Sequence, residues 1–209
     1  PKLPLCGGHE GAGRVVAIGP GVKNLKIGDK VGIVWLYSAC GECSYCIKGE
    51  ETVCPYQQNG GYSKDGSFQE YCLADAKFAA RIPEKLDMVA AAPILCAGVT
   101  VYKALKETEV RPGETITILG AGGGLGHLAV QYAKAMGMNV IAIDSGEPKK
   151  DLCLKIGATH FVDFKKTPDT IAEVLKLTGG NGSEGVLCLA TSNKAFNDCV
   201  AMCKRYGTV

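Results

Sequence analysis

The sequence predicts an α/β chain in two parts: a small β-rich, barrel-like domain over residues 1–92, then a doubly wound parallel sheet over 93–209. Three observations predict it. Up to Ala92, short β-like runs are punctuated by Gly and Pro. After Ala92, β-branched runs alternate with amphipathic helical stretches. A glycine cluster, Gly120 to Gly126, sits where the first of those runs turns into a helix. Alternation of strands and helices with short connections means βαβ units and a parallel sheet, whereas closely spaced short strands mean a barrel or sandwich.

In the first part the runs are Gly13 to Ile18, Lys30 to Trp35, Phe68 to Leu73 and Phe78 to Ile82, with turns at Gly19-Pro20-Gly21 and Gly60-Gly61. In the second part Thr115 to Leu119 opens the sheet. Leu125, Leu128, Ala129, Tyr132, Ala133 and Met136 then share one helical face. The runs Val140 to Ile143, His160 to Phe164 and Gly185 to Ala190 follow, separated by helical stretches Lys149 to Ile156 and Thr170 to Leu177. A last amphipathic stretch carries Phe196, Cys199, Val200 and Cys203, and Gly207-Thr208-Val209 reads as the first step of a fifth strand. A full doubly wound sheet has six strands, so the second half is expected to be C-terminally truncated. The opening Pro1-Lys2-Leu3-Pro4, with neither Met nor leader, suggests that the first part is N-terminally truncated.

Composition narrows the class. Of 209 residues, 46% are hydrophobic and 21% charged, the mix of an ordinary globular chain rather than a disordered one. The net charge of +2, with basic residues clustered only in pairs such as Lys149-Lys150 and Lys165-Lys166, gives no nucleic-acid stripe. No apolar run reaches the length of a membrane span. Eleven cysteines without a secretory leader suit a reducing cytoplasm, with metal ligands and free thiols rather than a disulfide framework. Cys6, Cys72, Cys96, Cys153, Cys188, Cys199 and Cys203 stand singly or at helical spacing among apolar residues, where free cysteine behaves as a small hydrophobe.

The other four are bunched. Cys40-x2-Cys43-x2-Cys46-x7-Cys54 puts four thiolates within fifteen residues, and zinc accepts four such ligands in a tetrahedron. The segment Ser44 to Val53 has little to bury, so a metal could contribute on the order of 10 kcal/mol to its folding. An iron–sulfur cluster is the rival, because Pro55 follows the fourth cysteine as in ferredoxin runs. The x7 gap and the lack of a second cysteine set favour zinc.

The run Gly120-Ala121-Gly122-Gly123-Gly124-Leu125-Gly126 departs from strict G-x-G-x-x-G, since Ala occupies position 121, and tight helix–sheet packing would also explain it. Its context points to a nucleotide: glycines let backbone N–H groups approach a pyrophosphate at the helix N-terminus. Asp144 follows eighteen residues after Gly126, at the end of the next run, where an acid would hold ribose hydroxyls. That carboxylate would face the extra phosphate of NADP, and two like charges ~4 Å apart near a surface cost about 4 kcal/mol. With no arginine following to compensate, NAD is the expected cofactor.

These residues carry a family resemblance. Gly7-Gly8-His9-Glu10-Gly11-Ala12-Gly13, the four-cysteine lobe, Asp65-Gly66-Ser67-Phe68-Gln69, Ala92-Pro93-Ile94-Leu95-Cys96-Ala97-Gly98, and the glycine run continuing to Gln131-Tyr132-Ala133-Lys134-Ala135-Met136-Gly137 resemble the zinc-containing medium-chain alcohol dehydrogenases. The likeness is nearest to the yeast-type ethanol dehydrogenases and covers nearly the whole chain. It implies a GroES-like barrel followed by a Rossmann sheet, and zinc-assisted reversible hydride transfer between a small primary alcohol or aldehyde and NAD. It implies that His9 and Cys96 are ligands of a catalytic zinc with Glu10 as a neighbouring or exchanging ligand, and that Cys40, Cys43, Cys46 and Cys54 hold a structural zinc. The family's third catalytic ligand is a cysteine upstream of His9, expected to precede this chain; Cys6 lies outside that motif position. The cofactor residues implied are Thr100 beside the nicotinamide, Leu125 behind it, Gly122, Gly123, Gly124 and Gly126 at the pyrophosphate, Asp144 and Lys149 at the ribose, and Phe164 near the adenine. Trp35 matches a substrate-pocket position, against the plain reading of an aromatic at a strand end. His127 and His160 have no matched role. A polyol or aromatic-alcohol dehydrogenase of the same superfamily stays open, as do a zinc-free quinone reductase and a non-catalytic zinc-ribbon and nucleotide-binding module. The implied partners are a small alcohol or aldehyde and, at full length, further copies of the chain in a dimer or tetramer, with neither nucleic acid nor membrane.

Overall fold

A computed structural model describes residues 3–209. Pro1 and Lys2, which open the chain, lie outside the described residues. The chain divides into two compact units, one ending at Cys96 and the other running Ala97–Val209. The division therefore falls four residues beyond the expected boundary at Ala92.

The first unit is built of short strands and long connections. β1 (Gly11–Arg14) pairs antiparallel with β2 (Lys30–Ile33), register Gly11 to Ile33 and Arg14 to Lys30. β3 (Leu36–Ser38) and β4 (Gln58–Asn59) form a separate two-stranded ribbon enclosing the short helix α1 (Ser44–Ile47). β5 (Ala80–Arg81) adds to the far edge of β2. The helix α2 (Met88–Ala91) begins at Asp87, whose carboxylate accepts the N–H groups of Val89 and Ala90, a strong N-cap. A 3₁₀ turn, Ala92–Leu95, continues it and packs on β1 and β2.

All four expected strands of the first unit are revised. Gly13 to Ile18 gives way to Gly11–Arg14, leaving Val16 and Ile18 exposed, and Phe78 to Ile82 shortens to Ala80–Arg81. Lys30 to Trp35 ends at Ile33, so Trp35 stands in the corner between β2 and β3. Phe68 to Leu73 is not a strand: Phe68, Tyr71 and Leu73 are exposed, and the backbone entering this segment bonds to a loop. The N–H groups of Gly66, Ser67 and Phe68 donate to the carbonyls of Cys6, Gly8 and Gly7. Apolar residues there do not alternate over a buried face, so no sheet forms around them.

The second unit follows the expected alternation closely. After α3 (Ala97–Glu107) come β6 (Thr115–Leu119), α4 (Gly124–Ala135), β7 (Asn139–Asp144), α5 (Glu147–Ile156), β8 (His160–Asp163), α6 (Thr170–Leu177), β9 (Ser183–Cys188), α7 (Asn193–Met202) and β10 (Cys203–Thr208). The sheet is parallel with spatial order β10-β9-β6-β7-β8, so the chain reverses direction across the sheet after β8. Residues of β6 and β7 alternate between two cores. Ile116, Ile118, Val140 and Ala142 face α3 and α4, with Val101, Leu105, Ala129, Val130 and Ala133. Leu119, Ile141 and Ile143 pack with Val174, Val186, Cys199 and Met202 on the other side. A sheet buried on both faces is what a doubly wound fold requires. Cys203, expected on the last helical face, instead caps α7 and starts β10. Cys153 and Cys199 are fully buried, as small hydrophobes should be, and burial holds their thiols up at about 11 and about 12 respectively. Among the described residues no single helix is long and apolar enough to cross a membrane.

Candidate metal and cofactor sites

The four cysteines of the lobe converge. Their sulfurs all lie within 4.8 Å of one another, with Cys40–Cys46 at 3.8 Å, Cys43–Cys46 at 3.5 Å and Cys54–Cys40 at 3.6 Å. A tetrahedron with zinc–sulfur bonds of about 2.3 Å has edges of about 3.8 Å, so the set fits zinc. Glycines make the approach possible: Gly41 and Gly49 both sit at φ +79°, turning the chain sharply into and out of α1. The N–H groups of Cys43 and Tyr56 point at the sulfurs of Cys40 and Cys54, each at 3.4 Å, the arrangement that steadies bound thiolates. N–H groups of Glu42 and Cys43 bring the Cys40 thiol down to about 7, while desolvation holds Cys46 up to about 12.

His9 and Glu10 immediately precede β1, in a loop held by backbone-on-backbone packing. A Cβ at Gly61 would fall 2.8 Å from both the nitrogen and the oxygen of Gly8, and one at Gly66 would overlap the Gly8 carbonyl. Cys96 follows the 3₁₀ turn, whose last residue, Leu95, fills the space over Gly32 of β2. The sequence elements bearing His9 and Cys96 are thereby gathered on the same small sheet. The Trp35 indole stands edge-on to the His9 imidazole, with ring centroids 5.2 Å apart and planes at 75°. Tyr62, which the sequence did not single out, also packs on Trp35, with ring centroids 5.8 Å apart and planes at 45°. Cys6 donates its thiol to the Phe68 carbonyl at 3.2 Å.

In the second unit the glycine run forms a cradle. Gly120, at φ +77°, turns the chain out of β6, and Gly123 caps α4 with extended backbone. A Cβ at Gly126 would overlap the Gly120 carbonyl oxygen and stand 2.6 Å from Ala121, whereas one at Gly124 meets nothing within 4 Å. Gly126 thus serves close packing and Gly124 leaves open space at the helix N-terminus, where backbone N–H groups lack intrahelical partners. A Cβ at Gly122 would meet the flexible Lys149 side chain at 2.8 Å. Leu125 packs against the core, and Thr100 is exposed on α3.

Asp144 ends β7 with its side chain almost wholly buried. One carboxylate oxygen accepts the Gly122 N–H at 2.9 Å, and the other accepts Ser145 N–H at 2.8 Å and the Lys149 ammonium at 2.7 Å. No arginine is among these partners, as expected, but Lys149, in the first turn of α5, supplies a cation that partly compensates the carboxylate. Phe164 is half-exposed just after β8, its N–H on the Asp144 carbonyl. Asp163 was not legible as part of this region. Its carboxylate accepts the Gly146 N–H at 3.0 Å and fixes the loop between β7 and α5, and that bond, joined by Lys165 and Lys166, lowers its pKa. His127 bonds back to the Gly123 carbonyl, and His160 is exposed. A cleft of about 240 Å³ lined by Arg111, Glu184 and Lys204 lies at the opposite, amino-terminal end of the strands, away from the crevice where such sheets bind nucleotides.

Comparison with known proteins agrees with this geometry. The family model for an alcohol dehydrogenase GroES-like domain matches residues 1–84, and that for a zinc-binding dehydrogenase matches residues 124–209. An alcohol dehydrogenase of Schizosaccharomyces pombe is 55% identical over 208 residues, covering 100% of this chain and 59% of the relative. The crystal structure of the Aeropyrum pernix alcohol dehydrogenase superposes with a TM-score of 0.86 at 32% identity, over 98% of this chain and 60% of that one. An NAD-dependent alcohol dehydrogenase superposes with a TM-score of 0.87 at 32% identity, over 97% of this chain and 59% of that one. The chain spans about three-fifths of the length of the curated relatives it matches. With the four-sulfur site, the two-core parallel sheet and the glycine cradle already in place, these matches mean that the chain belongs to the zinc-containing medium-chain alcohol dehydrogenase family.

Proposed function

We propose that the protein is an NAD-linked, zinc-dependent alcohol dehydrogenase acting on small primary alcohols and their aldehydes. The observation that carries the reading is the edge-on contact of Trp35 with His9, which puts a bulky apolar wall beside a metal-ligand side chain. Cys96, delivered by the turn on β1 and β2, supplies a thiolate, and Glu10 an adjacent carboxylate; nitrogen and sulfur donors with one open position are the ligand set of a catalytic zinc. When bound, zinc supplies Lewis-acid stabilisation of negative charge on a substrate oxygen. The chain's own residues do the rest. Trp35 restricts the length of the alcohol. Gly123 and Gly124 open the N-terminus of α4 to the cofactor pyrophosphate while Gly126 lets the helix pack on the turn that presents them, Leu125 and Thr100 bear on the nicotinamide, and Asp144 with Lys149 takes the ribose hydroxyls, with Phe164 toward the adenine. Cys40, Cys43, Cys46 and Cys54 hold a second, structural zinc away from this chemistry.

At full length a homo-oligomer, dimer or tetramer, belongs to the same proposal and is tested by sedimentation, and a cytoplasmic location is tested by cell fractionation. The chemistry is tested with His9→Ala. Ethanol-dependent NAD reduction should fall by at least about 10³-fold, with loss of the more readily chelated zinc and retention of the four-cysteine zinc. Turnover that survives the substitution would overturn the assignment. A substrate panel separates the small-alcohol reading from polyol or aromatic-alcohol oxidation.

A further inference from the structure

We propose that Tyr62 is a positioning residue for alcohol recognition: its ring holds the Trp35 indole against the His9 imidazole and so fixes the wall that limits alcohol length. The inference rests on the reading of His9 and Trp35 given above. Tyr62 lies in a tight turn, Asn59 to Lys64, that closes on itself. The Asn59 carbonyl accepts the N–H groups of Tyr62, Ser63 and Lys64 at 3.3, 3.0 and 3.0 Å, and the Ser63 hydroxyl accepts the Asn59 N–H at 2.8 Å. The turn is anchored at two external points. The Gly60 N–H donates to the Trp35 carbonyl at 2.9 Å, and Gly61 is packed on Gly8, the residue before His9. One hydrogen-bonded turn thus touches the Trp35 backbone and the residue preceding His9.

Trp35 needs such alignment. It stands in the corner between β2 and β3, outside either ladder, and 40% of it is exposed, so its neighbours rather than the sheet fix the indole. Those neighbours include two rings: His9 at 5.2 Å, edge-on, and Tyr62 at 5.8 Å, tilted by 45°. Offset and edge-on geometries at these distances are the favourable ones for aromatic pairs. Removing the Tyr62 ring frees one side of the indole, and a wall that can swing no longer rejects added methylenes.

The test uses the zinc-loaded protein with NAD. It compares kcat/KM for ethanol and 1-hexanol in the native protein, Tyr62→Phe, Tyr62→Ala, Trp35→Ala and the double variant. Trp35 is the chain's sole tryptophan, so acrylamide quenching of its fluorescence reads the clamp independently of turnover. Tyr62→Ala should raise the hexanol-to-ethanol ratio by about three- to tenfold, chiefly through KM, and should increase quenching. Tyr62→Phe should match the native protein in both, and Tyr62→Ala should add nothing once Trp35 is Ala. Retained zinc in the four-cysteine lobe marks folded variants, and Tyr62→Leu carries the comparison where Ala does not fold. Native turnover with quenching and selectivity unchanged in Tyr62→Ala overturns the clamp alone, as does an equal selectivity shift in the Trp35→Ala background. A native protein that oxidises no alcohol of the series overturns the functional reading and the selectivity role with it.

Discussion

The four-cysteine lobe and the glycine cradle are both tight, glycine-dependent turns leading into a helix, yet opposite forces hold them. In the lobe, α1 buries none of its residues, Ile47 and Val53 face solvent, and the buried anchor is Cys54. In the cradle, Ala121, Gly126 and Ala129 are buried, and the turn is pressed against a sheet with a core on each face. The lobe's order comes from what its sulfurs bind; the cradle's order exists before any ligand arrives. A metal-held segment loses everything with its metal, whereas a core-held segment loses affinity and keeps its shape.

The largest effect expected from this contrast is that of Cys54→Ser. Without its buried sulfur the lobe should forfeit zinc binding worth on the order of 10 kcal/mol, and amides from Cys40 to Gln57 should lose protection from hydrogen exchange. Protection across β6 and β7 should be unchanged. Equal loss in both units would break the comparison by making the lobe's zinc a support for the whole chain.

Within the cradle, two glycines should separate packing from ligand approach. Gly126→Ala drives a methyl into the Gly120 carbonyl and Ala121, so it should destabilise the second unit by about 2–4 kcal/mol in urea unfolding and weaken NAD as a consequence. Gly124→Ala has open space around it and should stabilise α4 slightly, by about 0.5 kcal/mol, while weakening NAD by about tenfold or more if pyrophosphate occupies that space. Unchanged NAD affinity in Gly124→Ala, measured by calorimetry, would move the cofactor off the helix terminus.

What the sequence revealed divides along the same line. Four cysteines at short spacing are a local signal, legible without a fold, and the β6-to-α6 alternation is nearly as legible because each element advertises its own period. The Phe68 to Leu73 run carries strand-like composition without a buried face, since Phe68, Tyr71 and Leu73 are all exposed, and composition alone does not make a strand. Trp35 reads either as a substrate-pocket aromatic or as an aromatic at a strand end, and its contacts with His9 and Tyr62 are not legible because they join residues far apart in the chain. Asp163 on Gly146, and the buried hydroxyl pair Thr117–Ser183 at 2.6 Å, are likewise contacts that only the assembled sheet creates. The lysine opposite Asp144 is visible in the sequence, but its reach to the carboxylate is not, since that depends on how α5 starts after β7.

That pairing sets the next prediction. Asp144 disfavours a ribose phosphate by charge, but Lys149 at 2.7 Å offsets part of it, so the discrimination is smaller than an isolated carboxylate would give. Asp144→Asn should lower the NAD-over-NADP preference in kcat/KM by about tenfold, since ~1.4 kcal/mol is a factor of ten. Stability should fall as well, by about 1–3 kcal/mol, because the amide nitrogen cannot accept the Ser145 N–H or the Lys149 ammonium, so the readout is the ratio of kcat/KM for the two cofactors within the one variant. No change in preference would mean that Lys149 already cancels the charge. The lobe again serves as the control, since its zinc content should not respond.

The smallest expected effect is a pH dependence confined to the cradle side. The Gly146 N–H, with Lys165 and Lys166, holds Asp163 below the usual carboxylate range, so the unfolded chain binds a proton there at a higher pH than the folded one. Its contribution is present above the unfolded pKa of about 3.9 and disappears as pH falls through the lower folded value. Asp163→Asn should therefore cost stability at pH 7 and much less at pH 3, read as the difference in urea midpoint at the two pH values. An equal cost at both would mean that the loop between β7 and α5 needs only an acceptor for Gly146 and not a charge. The lobe has no counterpart in this prediction, because its order depends on metal occupancy rather than on a carboxylate, and its exchange protection in zinc-loaded Asp163→Asn should match the native protein at pH 7.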